Sequence, residues 1–386
     1  MKRSTKELLL LILVTVFSTL LLWWPFFGGF SRFLGFEIPP GGMKTVFANY
    51  DGPNYLIIAK TWYQKELIGR LFSLPLPLEY YPAHFPGYPA LIRLGSLFLA
   101  PPWAMLIANL FSSMAAVFVF YRLITDFNLS QKPFWLSFVF LFLPARLFAV
   151  RSVGAPESFF VFAILTSIYF FRKQRYWLAG GFGALAQATK SPAILLFAAY
   201  GLYYLIRERI DLEQSGKSVQ SKINSLCKTL PLFLIPLTLM AVFFFYQNQT
   251  GNFWAYFHSG DNFHLTPFPF QSFNASRSWL GQIWIEDMVW LYLIGAIGIL
   301  LLFKKKQVVM GFFALIFYLA TVFVAHRDIS RYLLPAWPFL LIGLEPLIIK
   351  REFRIAFWFI LPAIYFFSLN FILGNTAPVA DWTPYF

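Results

Sequence analysis

The side chain best suited to chemistry in this sequence is an acid in a tight turn, Asp51. It stands in FANYDGP, residues 47–53, after the first long apolar stretch of the chain. Asp, Gly and Pro favour such a turn for backbone reasons alone, so a purely structural role stays open. A carboxylate just outside an apolar segment is also a natural general base for an amphiphilic substrate. Its aromatic and apolar surroundings predict a raised pKa.

A second acid and several basic side chains complete the set of candidates. Glu157 follows Pro156 at the start of an apolar segment, where it either serves catalysis and acceptor binding or complements a helix dipole. His84 precedes FPGYP, residues 85–89, and could line the same site, although a lone His is more often structural. Arg and Lys bind phosphate oxygens, and their structural alternative is to reach towards the interface. The candidate phosphate-binding residues are Lys190, Arg331, Arg327, His326 and Arg151.

The elements that must position these residues are membrane-spanning helices. Of the 386 residues, 59% are hydrophobic and only 12% are charged, whereas a soluble domain has about 25% charged residues. Several apolar runs reach the length of about 20 residues that crosses a bilayer. The net charge of +14 is concentrated in short loops, as the positive-inside rule expects, so no nucleic-acid partner is inferred. Cys227 is the only cysteine, which excludes an intramolecular disulfide.

The distribution of basic turns predicts a single integral membrane domain with a cytoplasmic N-terminus. Residues 8–27 are expected to form an uncleaved first span, because the apolar run is longer than that of a secretory signal and WWPFF, residues 23–27, offers no small-residue cleavage site. Residues 28–85 are expected to form the first outer loop, and 54–72 within it have the pattern of a helix on the membrane surface. Residues 207–228 are predicted to be the main cytoplasmic loop, and 248–286 a second outer loop.

The number of crossings between residues 86 and 171 stays open at this point. Pro101-Pro102 divides the first apolar region, and two further blocks follow before Arg172. Three crossings would put residues 151–157 on the opposite side from Asp51, unless one block is re-entrant or the prolines only interrupt one span. Residues 176–206 are interrupted at Lys190-Ser191-Pro192, which favours two short helices that meet near the outer face. One long span is the alternative, with residues 151–157 inside.

Several stretches, taken together in order, resemble a known family of membrane enzymes. They are YDGPNYLIIAKTWY (residues 50–63), AHFPGYPALIRL (83–94), GAPESFFVFAILTSIYFFRKQRYWLAGGFGALAQATKSPAILL (154–196) and HRDISRYLLPAWPFLL (326–341). This set is similar to the GPI mannosyltransferase 2-like family and its prokaryotic relatives, in the GT-C superfamily of polyprenyl-phosphate-sugar-dependent glycosyltransferases. One departure is that the family's Arg-Pro is Lys190-Ser191-Pro192 in this chain.

The resemblance implies an all-α polytopic membrane protein with a GT-C-like fold, about 10–11 membrane segments and an active site at the outer face. It implies Asp51 as the catalytic or acceptor-binding acid and places Glu157 outside. The donor would be a hexose such as mannose on polyprenyl or dolichyl phosphate, and the acceptor a glycan, glycolipid or protein. The implied location is the plasma membrane in a prokaryote or the endoplasmic reticulum in a eukaryote.

No cofactor is expected, because a lipid-phosphate sugar is a co-substrate. The sequence has no Asp-x-Asp motif, no paired His at helical spacing and no complete phosphate-binding loop of the G-x-x-x-x-G-K-S/T kind. Asp51 and Glu157 could hold a divalent cation together, but nothing requires one. The competing interpretation is a transporter or flippase of polyprenyl-linked glycans, which should place ionisable residues in mid-span. In a non-catalytic assembly subunit, the third alternative, these acids and cations need not converge.

Overall fold

The computed structural model describes residues 3–49, 51–73, 76–215, 227–260, 264–274 and 286–386. Helices form most of these ranges, and the one small sheet pairs β1 (Arg32–Phe33) with β2 (Phe36–Glu37) in antiparallel fashion. The helices are α1 (Arg3–Phe27), α2 (Met43–Phe47), α3 (Gly52–Thr61), α4 (Lys65–Leu71), α5 (Gly87–Gly95), α6 (Pro101–Asp126), α7 (Pro133–Phe140), α8 (Ala145–Val150), α9 (Glu157–Arg172), α10 (Tyr176–Thr189), α11 (Ile194–Ser215), α12 (Leu234–Thr250), α13 (Glu286–Lys304), α14 (Val308–Val322), α15 (Ile329–Tyr332), α16 (Trp337–Gly343), α17 (Glu345–Ile348) and α18 (Arg351–Gly374). Short 3-10 turns occur at Leu78–Ala83, Ser191–Ala193, Leu230–Phe233, Gln271–Phe273 and Thr383–Tyr385.

Within the described ranges, five helical segments are long and apolar enough to cross a membrane. They are Ser4–Phe27, Pro101–Asp126, Cys227–Thr250, Glu286–Lys304 and Arg351–Gly374. Two shorter apolar helices cover Ser191–Ile206 and Val308–Val322. The chain is therefore an all-α protein with several apolar helices of spanning length, as the composition predicts. Other segments that were expected to span are short or broken helices in the described part of the chain.

Helix lengths bear on the number of crossings before Glu157. Helix α5 has nine residues, so at about 1.5 Å per residue it covers less than half of a hydrocarbon core of about 30 Å. Helix α6 has 26 residues and is long enough to cross, whereas the next apolar block is divided into α7 and α8 around Pro144. Asp51 and Glu157 bind the same Arg331 side chain, so the two acids lie close together. Between them, α6 is the helix of the described residues that reaches spanning length, and the number of crossings stays a prediction.

The first loop folds into the helical bundle instead of lying on its surface. The single surface helix expected over residues 54–72 is divided into α3 and α4 at Trp62 and Tyr63, whose φ angles of 49° and 68° are left-handed. Helix α3 is buried along nearly its whole length and packs against α5 and α6. The prediction of surface helices is thus wrong for α3. Its apolar residues find partners in α5 and α6, which the pattern of a single segment cannot reveal.

The last turn of α18 and the residues that follow it fix the chain on both sides of Asp51. Before the acid, the Asn49 side-chain amide donates a hydrogen bond to the Ile372 carbonyl oxygen at the end of α18, at 3.3 Å. After it, the Lys60 ammonium donates to the Pro384 carbonyl oxygen at 2.6 Å. The turn that carries Asp51 is consequently held by contacts distant in sequence, and its position depends on the packing of the last helix.

Labelling of introduced cysteines tests the orientation of the bundle. We expect exposed positions within residues 40–80 and 255–280 to react from outside and residues 210–225 only from inside, because the basic loops should remain in the cytoplasm. Gln64→Cys, at an exposed position, is a suitable outer site in a background in which Cys227 is replaced by Ser. The native Cys227 is exposed and is the matched inner reporter. Labelling of residues 210–225 from outside in intact cells would contradict this orientation.

Candidate functional site

The two candidate acids meet on one guanidinium group. Arg331 Nε donates to Glu157 Oε1 at 2.7 Å, and Arg331 Nη2 donates to Asp51 Oδ2 at 3.1 Å. Lys190 Nζ donates to the same Glu157 oxygen at 2.9 Å. We refer to Asp51, Glu157, Lys190 and Arg331 as the acid–cation cluster. The sequence predicts that Asp51, Glu157 and at least one of Lys190 or Arg331 line one cavity. The structure links the four side chains through these three hydrogen bonds, and the cavity itself stays a prediction.

Each member of the acid–cation cluster stands where a helix begins or ends. Asp51 directly precedes α3, and its carbonyl oxygen accepts the Tyr55 N–H at 3.1 Å. Glu157 is the first residue of α9. Lys190 lies in extended backbone between α10 and the 3-10 turn that contains Pro192. Arg331 is carried by α15, a single turn between two longer apolar helices. The site is therefore built from helix ends that meet on one side of the bundle.

Burial within the acid–cation cluster places the cations on its more open side. The Glu157 side chain is 2% exposed and that of Asp51 12%, whereas Arg331 is 19% and Lys190 29% exposed. Two carboxylates and two cations compensate one another, which is the condition under which buried charges are tolerated. An anion that approaches from solvent would thus reach the ammonium and guanidinium groups before the carboxylates.

The environment of Asp51 lowers its pKa, contrary to the expectation from its aromatic surroundings. Burial on its own would raise this pKa, but contacts with His84 and Arg331 outweigh it and hold the value below the ordinary 3.8. The prediction of a raised pKa was wrong because the sequence pattern shows the apolar neighbours of Asp51 but not its distant cationic partners. Asp51 is consequently ionised at neutral pH.

His84 lines the acid–cation cluster, as its position in the sequence suggested. Its Nε2 atom lies 3.5 Å from Asp51 Oδ1, slightly longer than an ordinary N–H···O hydrogen bond. The imidazole stands edge-on to the Tyr55 ring, with ring centroids 4.9 Å apart. His84 Nδ1 is buried and has no hydrogen-bond partner among the residues that the structure describes. This side chain therefore belongs to the site and is not only a packing residue.

A further ion pair, which sequence reasoning missed, adjoins the acid–cation cluster. Arg146 donates a short hydrogen bond to Asp328 Oδ1 and lies over the Phe371 ring, 4.5 Å from its centroid. The Asp328 carbonyl oxygen accepts the Arg331 N–H at 3.0 Å, so this pair supports the turn that carries Arg331. The available signals were Arg146, a charge inside an apolar block, and Asp328, an acid three residues before Arg331.

Arg151 has a structural role, which corrects its prediction as a phosphate-binding candidate. Its guanidinium donates to Ser18 Oγ at 2.7 Å, to Thr19 Oγ1 at 3.0 Å and to the Leu141 carbonyl oxygen at 3.3 Å. It also lies over the Phe148 ring, 4.7 Å from the centroid. Only 2% of the residue is exposed. These contacts join the end of α8 to the middle of α1, and they use the N–H groups that would be needed to bind a phosphate.

His326 and Arg327 lie in the turn that leads to Arg331. His326 Nδ1 accepts the Asp328 backbone N–H at 2.9 Å, which helps to shape the start of α15. Its ring lies 4.6 Å from that of His264, measured between centroids. The Arg327 side chain is exposed. The structure thus assigns His326 a local supporting contact and leaves Arg327 at the surface beside the site.

The stability of the protein should depend on His326 in mildly acidic solution. Burial, assisted by the neighbouring His264, lowers the pKa of His326 from 6.5 to about 4. As pH falls from 6.5 to 4, the unfolded chain binds a proton at this residue while the folded chain does not, so the free energy of unfolding decreases. We expect about 1–2 kcal/mol, less than the full shift would give, because the ring is partly exposed.

His326→Asn should therefore flatten the dependence of melting temperature on pH between 4 and 6.5. His258→Asn is the matched control, because this exposed His lies outside the α15 turn and its ring bonds the Asn252 side chain of its own loop. An unchanged pH slope in His326→Asn would show that this imidazole is not the group that titrates.

Within the described ranges, no group of three or more His, Cys, Asp or Glu side chains is arranged to hold a metal ion. Asp51 and Glu157, the pair that could have shared a divalent cation, instead share the guanidinium of Arg331. The cationic partner of the acids in this structure is thus a side chain of the chain itself.

In comparisons with known proteins, no protein-family model matches this chain, and no curated protein matches it.

Proposed function

We propose that this chain is a membrane glycosyltransferase of the GT-C type. It would move a hexose, which the resemblance suggests is mannose, from a polyprenyl- or dolichyl-phosphate donor to an acceptor hydroxyl at the non-cytoplasmic face. The observation that carries this proposal is the Arg331 bridge between Asp51 and Glu157, with Lys190 beside it. It brings two acids and two cations together at helix ends of an apolar bundle, where a lipid-linked substrate can present its polar head.

The cations of the acid–cation cluster suit the departing lipid phosphate. In the transfer, the bond between the sugar C1 and the phosphate oxygen breaks, and the electron pair leaves on the phosphate. Arg331 offers a planar fork of N–H groups and Lys190 a point charge, and both are the more exposed members of the cluster. Charge-assisted hydrogen bonds from these groups stabilise the negative charge that develops on the leaving group.

The acids suit the acceptor side of the reaction. Asp51 is ionised, so it can attract the acceptor hydroxyl and assist loss of its proton. Glu157 is almost fully buried and receives hydrogen bonds from both Lys190 and Arg331, which fixes the position of the two cations. A donor phosphate that engages Arg331 would compete with the Asp51 carboxylate for its N–H groups. Donor binding would then release part of the charge stabilisation of Asp51 and make the acid more basic for the acceptor.

The alternative of a transporter or flippase is weakened by the contacts of the buried Arg151. A transport path needs ionisable groups that face a passage through the middle of the bundle. Arg151 does lie against the middle of α1, but its guanidinium is enclosed by hydroxyl groups, carbonyl oxygens and the Phe148 ring. It therefore has the contacts of a helix-joining residue.

A transfer assay with purified protein tests the proposal. Radiolabelled polyprenyl-phosphate hexoses are supplied with a panel of glycan, glycolipid and peptide acceptors, and labelled product is measured. We expect donor-dependent transfer by the wild type and strongly reduced transfer by Asp51→Asn. Asp126→Asn is the matched acid control, because Asp126 is the last residue of α6 and binds Tyr169 and Lys173, which are not part of the acid–cation cluster. Failure of every donor, together with flux of intact lipid-linked glycan across vesicles, would favour the transporter.

A further inference from the structure

Both carboxylate oxygens of Asp51 already face basic side chains. Oδ2 accepts the hydrogen bond from Arg331, and Oδ1 lies 3.5 Å from His84 Nε2. These two contacts also keep the pKa of Asp51 below its ordinary value against the effect of burial. A carboxylate in this state is a weak proton acceptor, because efficient general bases titrate near the working pH. Asp51 is thus better suited to stabilise a neighbouring positive charge than to accept a proton.

His84 has the basic atom that Asp51 lacks. When Nε2 carries the hydrogen that faces Asp51, Nδ1 carries the lone pair of the neutral imidazole. That atom is buried and has no hydrogen-bond partner among the described residues. Buried polar atoms in native proteins nearly always have partners, and an exception beside an acid indicates a functional role. The imidazole therefore has one nitrogen towards a carboxylate and the other without a hydrogen-bond partner in the described part of the chain.

The residue is also held firmly in place. The His84 carbonyl oxygen accepts hydrogen bonds from the Tyr63 hydroxyl at 2.6 Å and from the Tyr246 hydroxyl at 3.3 Å. On the side-chain face, the rings of Tyr55 and Tyr80 stand 4.9 Å and 5.5 Å from the imidazole, measured between centroids. These contacts fix the backbone and restrict the ring, as a group that must meet a reacting hydroxyl requires.

We propose that His84 Nδ1 accepts the proton of the acceptor hydroxyl, and that Asp51 orients this imidazole and stabilises the imidazolium that forms. The inference rests on the proposed transferase function and changes the identity of the proton-accepting atom. As the acceptor oxygen forms its bond to the sugar C1, its O–H bond breaks and the proton moves to Nδ1. The C1–O bond to phosphate breaks, with the electron pair on the phosphate, and the imidazolium later returns its proton to water.

The charged and titratable groups that face His84 are few within the described residues. Asp51 is the adjacent charge, Arg331 and Glu157 lie beyond it, and the remaining groups are tyrosine hydroxyls, which stay neutral at neutral pH. These groups are Asp51, Tyr55, Tyr63, Tyr80, Tyr246, Arg331 and Glu157. A fall in rate with acidity that His84→Gln abolishes would accordingly report this imidazole, since the neighbouring carboxylates stay ionised near neutral pH.

The test is the pH dependence of kcat/KM for hexose transfer at a fixed donor. The wild-type rate should fall towards acidic pH, because a protonated imidazole cannot accept another proton. His84→Gln should reduce the rate about 10²–10⁴-fold and remove this acidic limb. His258→Gln should behave like the wild type, as this exposed His lies in another loop. Added imidazole should restore part of the activity of His84→Gly, which loss of a structural contact would not allow.

The outcomes separate this inference from the proposed function. Transfer by the wild type at a rate that does not fall towards acidic pH overturns the role of His84 and returns the base assignment to a carboxylate; this measurement needs no variant. A His84→Gln protein with wild-type kcat/KM overturns it as well. Absence of transfer from every donor at every pH overturns the transferase function itself, and the role of His84 falls with it.

Discussion

Asp51→Asn should lower the rate of hexose transfer by about 10²–10⁴-fold. The substitution keeps the size and turn preference of the side chain but removes the negative charge that faces both His84 and Arg331. The loss is expected whether Asp51 accepts the proton itself or stabilises the imidazolium of His84. Asp51→Glu should restore little activity, because one additional methylene moves the carboxylate beyond the tolerance of a positioned site.

The stability of these variants separates a catalytic from a structural role. Asp51→Asn removes one ion pair while Arg331 keeps Glu157, so we expect a cost of only about 1–3 kcal/mol at neutral pH. The pKa of Asp51 is lowered on folding. The loss of unfolding free energy in Asp51→Asn should therefore be complete above about pH 4, and it should disappear as pH falls through the pKa of Asp51 in the folded protein. If Asp51→Asn keeps the wild-type turnover and Asp51→Ala only lowers the melting temperature, Asp51 is a turn residue and the catalytic assignment moves to Glu157.

The members of the acid–cation cluster were identifiable from the sequence because each charge interrupts an apolar pattern. Asp51, Glu157, Lys190 and Arg331 all stand at the edge of an apolar segment, and polar groups at such edges are constrained to a few positions in a membrane protein. The same argument selected Arg151 wrongly. The N–H groups of a charge at such an edge can bind either a substrate or a neighbouring helix. For Arg151 they bind hydroxyl groups of α1, a contact that the sequence does not reveal.

The features that could not be predicted depend on contacts distant in sequence. The burial of α3 requires α5 and α6 to be in place, and the pairing of Arg146 with Asp328 joins residues 182 positions apart. The direction of the Asp51 pKa shift has the same origin, since Arg331 lies 280 positions away. Local periodicity gives the apolar face of a segment but not the partner that covers it.

The largest effect on stability is expected for Arg331→Ala. This substitution leaves Asp51 and the almost fully buried Glu157 without their shared guanidinium. Removal of one partner from a buried ionic group costs about 3–5 kcal/mol, because the remaining charges lose their compensation. Arg331 is itself 19% exposed, but the carboxylates that it binds are more deeply buried, so their loss of a partner decides the effect. Lys190→Ala should cost less, because Lys190 is more exposed and Glu157 keeps Arg331.

Arg331→Lys and a combined variant make this prediction independent of a folding failure. Arg331→Lys keeps the charge but replaces the fork that binds Asp51 and Glu157 by a point charge, so the KM for the donor should rise about 10–150-fold for one or two lost charge-assisted contacts. Glu157→Gln combined with Arg331→Gln removes charges of both signs and should recover much of the stability that Arg331→Ala loses. Melting temperatures and donor KM values are measured for all of these proteins and for Lys190→Ala. A melting temperature unchanged in Arg331→Ala would show that the bridge to Asp51 and Glu157 is absent in the membrane. A donor KM unchanged in both Arg331→Lys and Lys190→Ala would remove these cations from recognition of the donor phosphate.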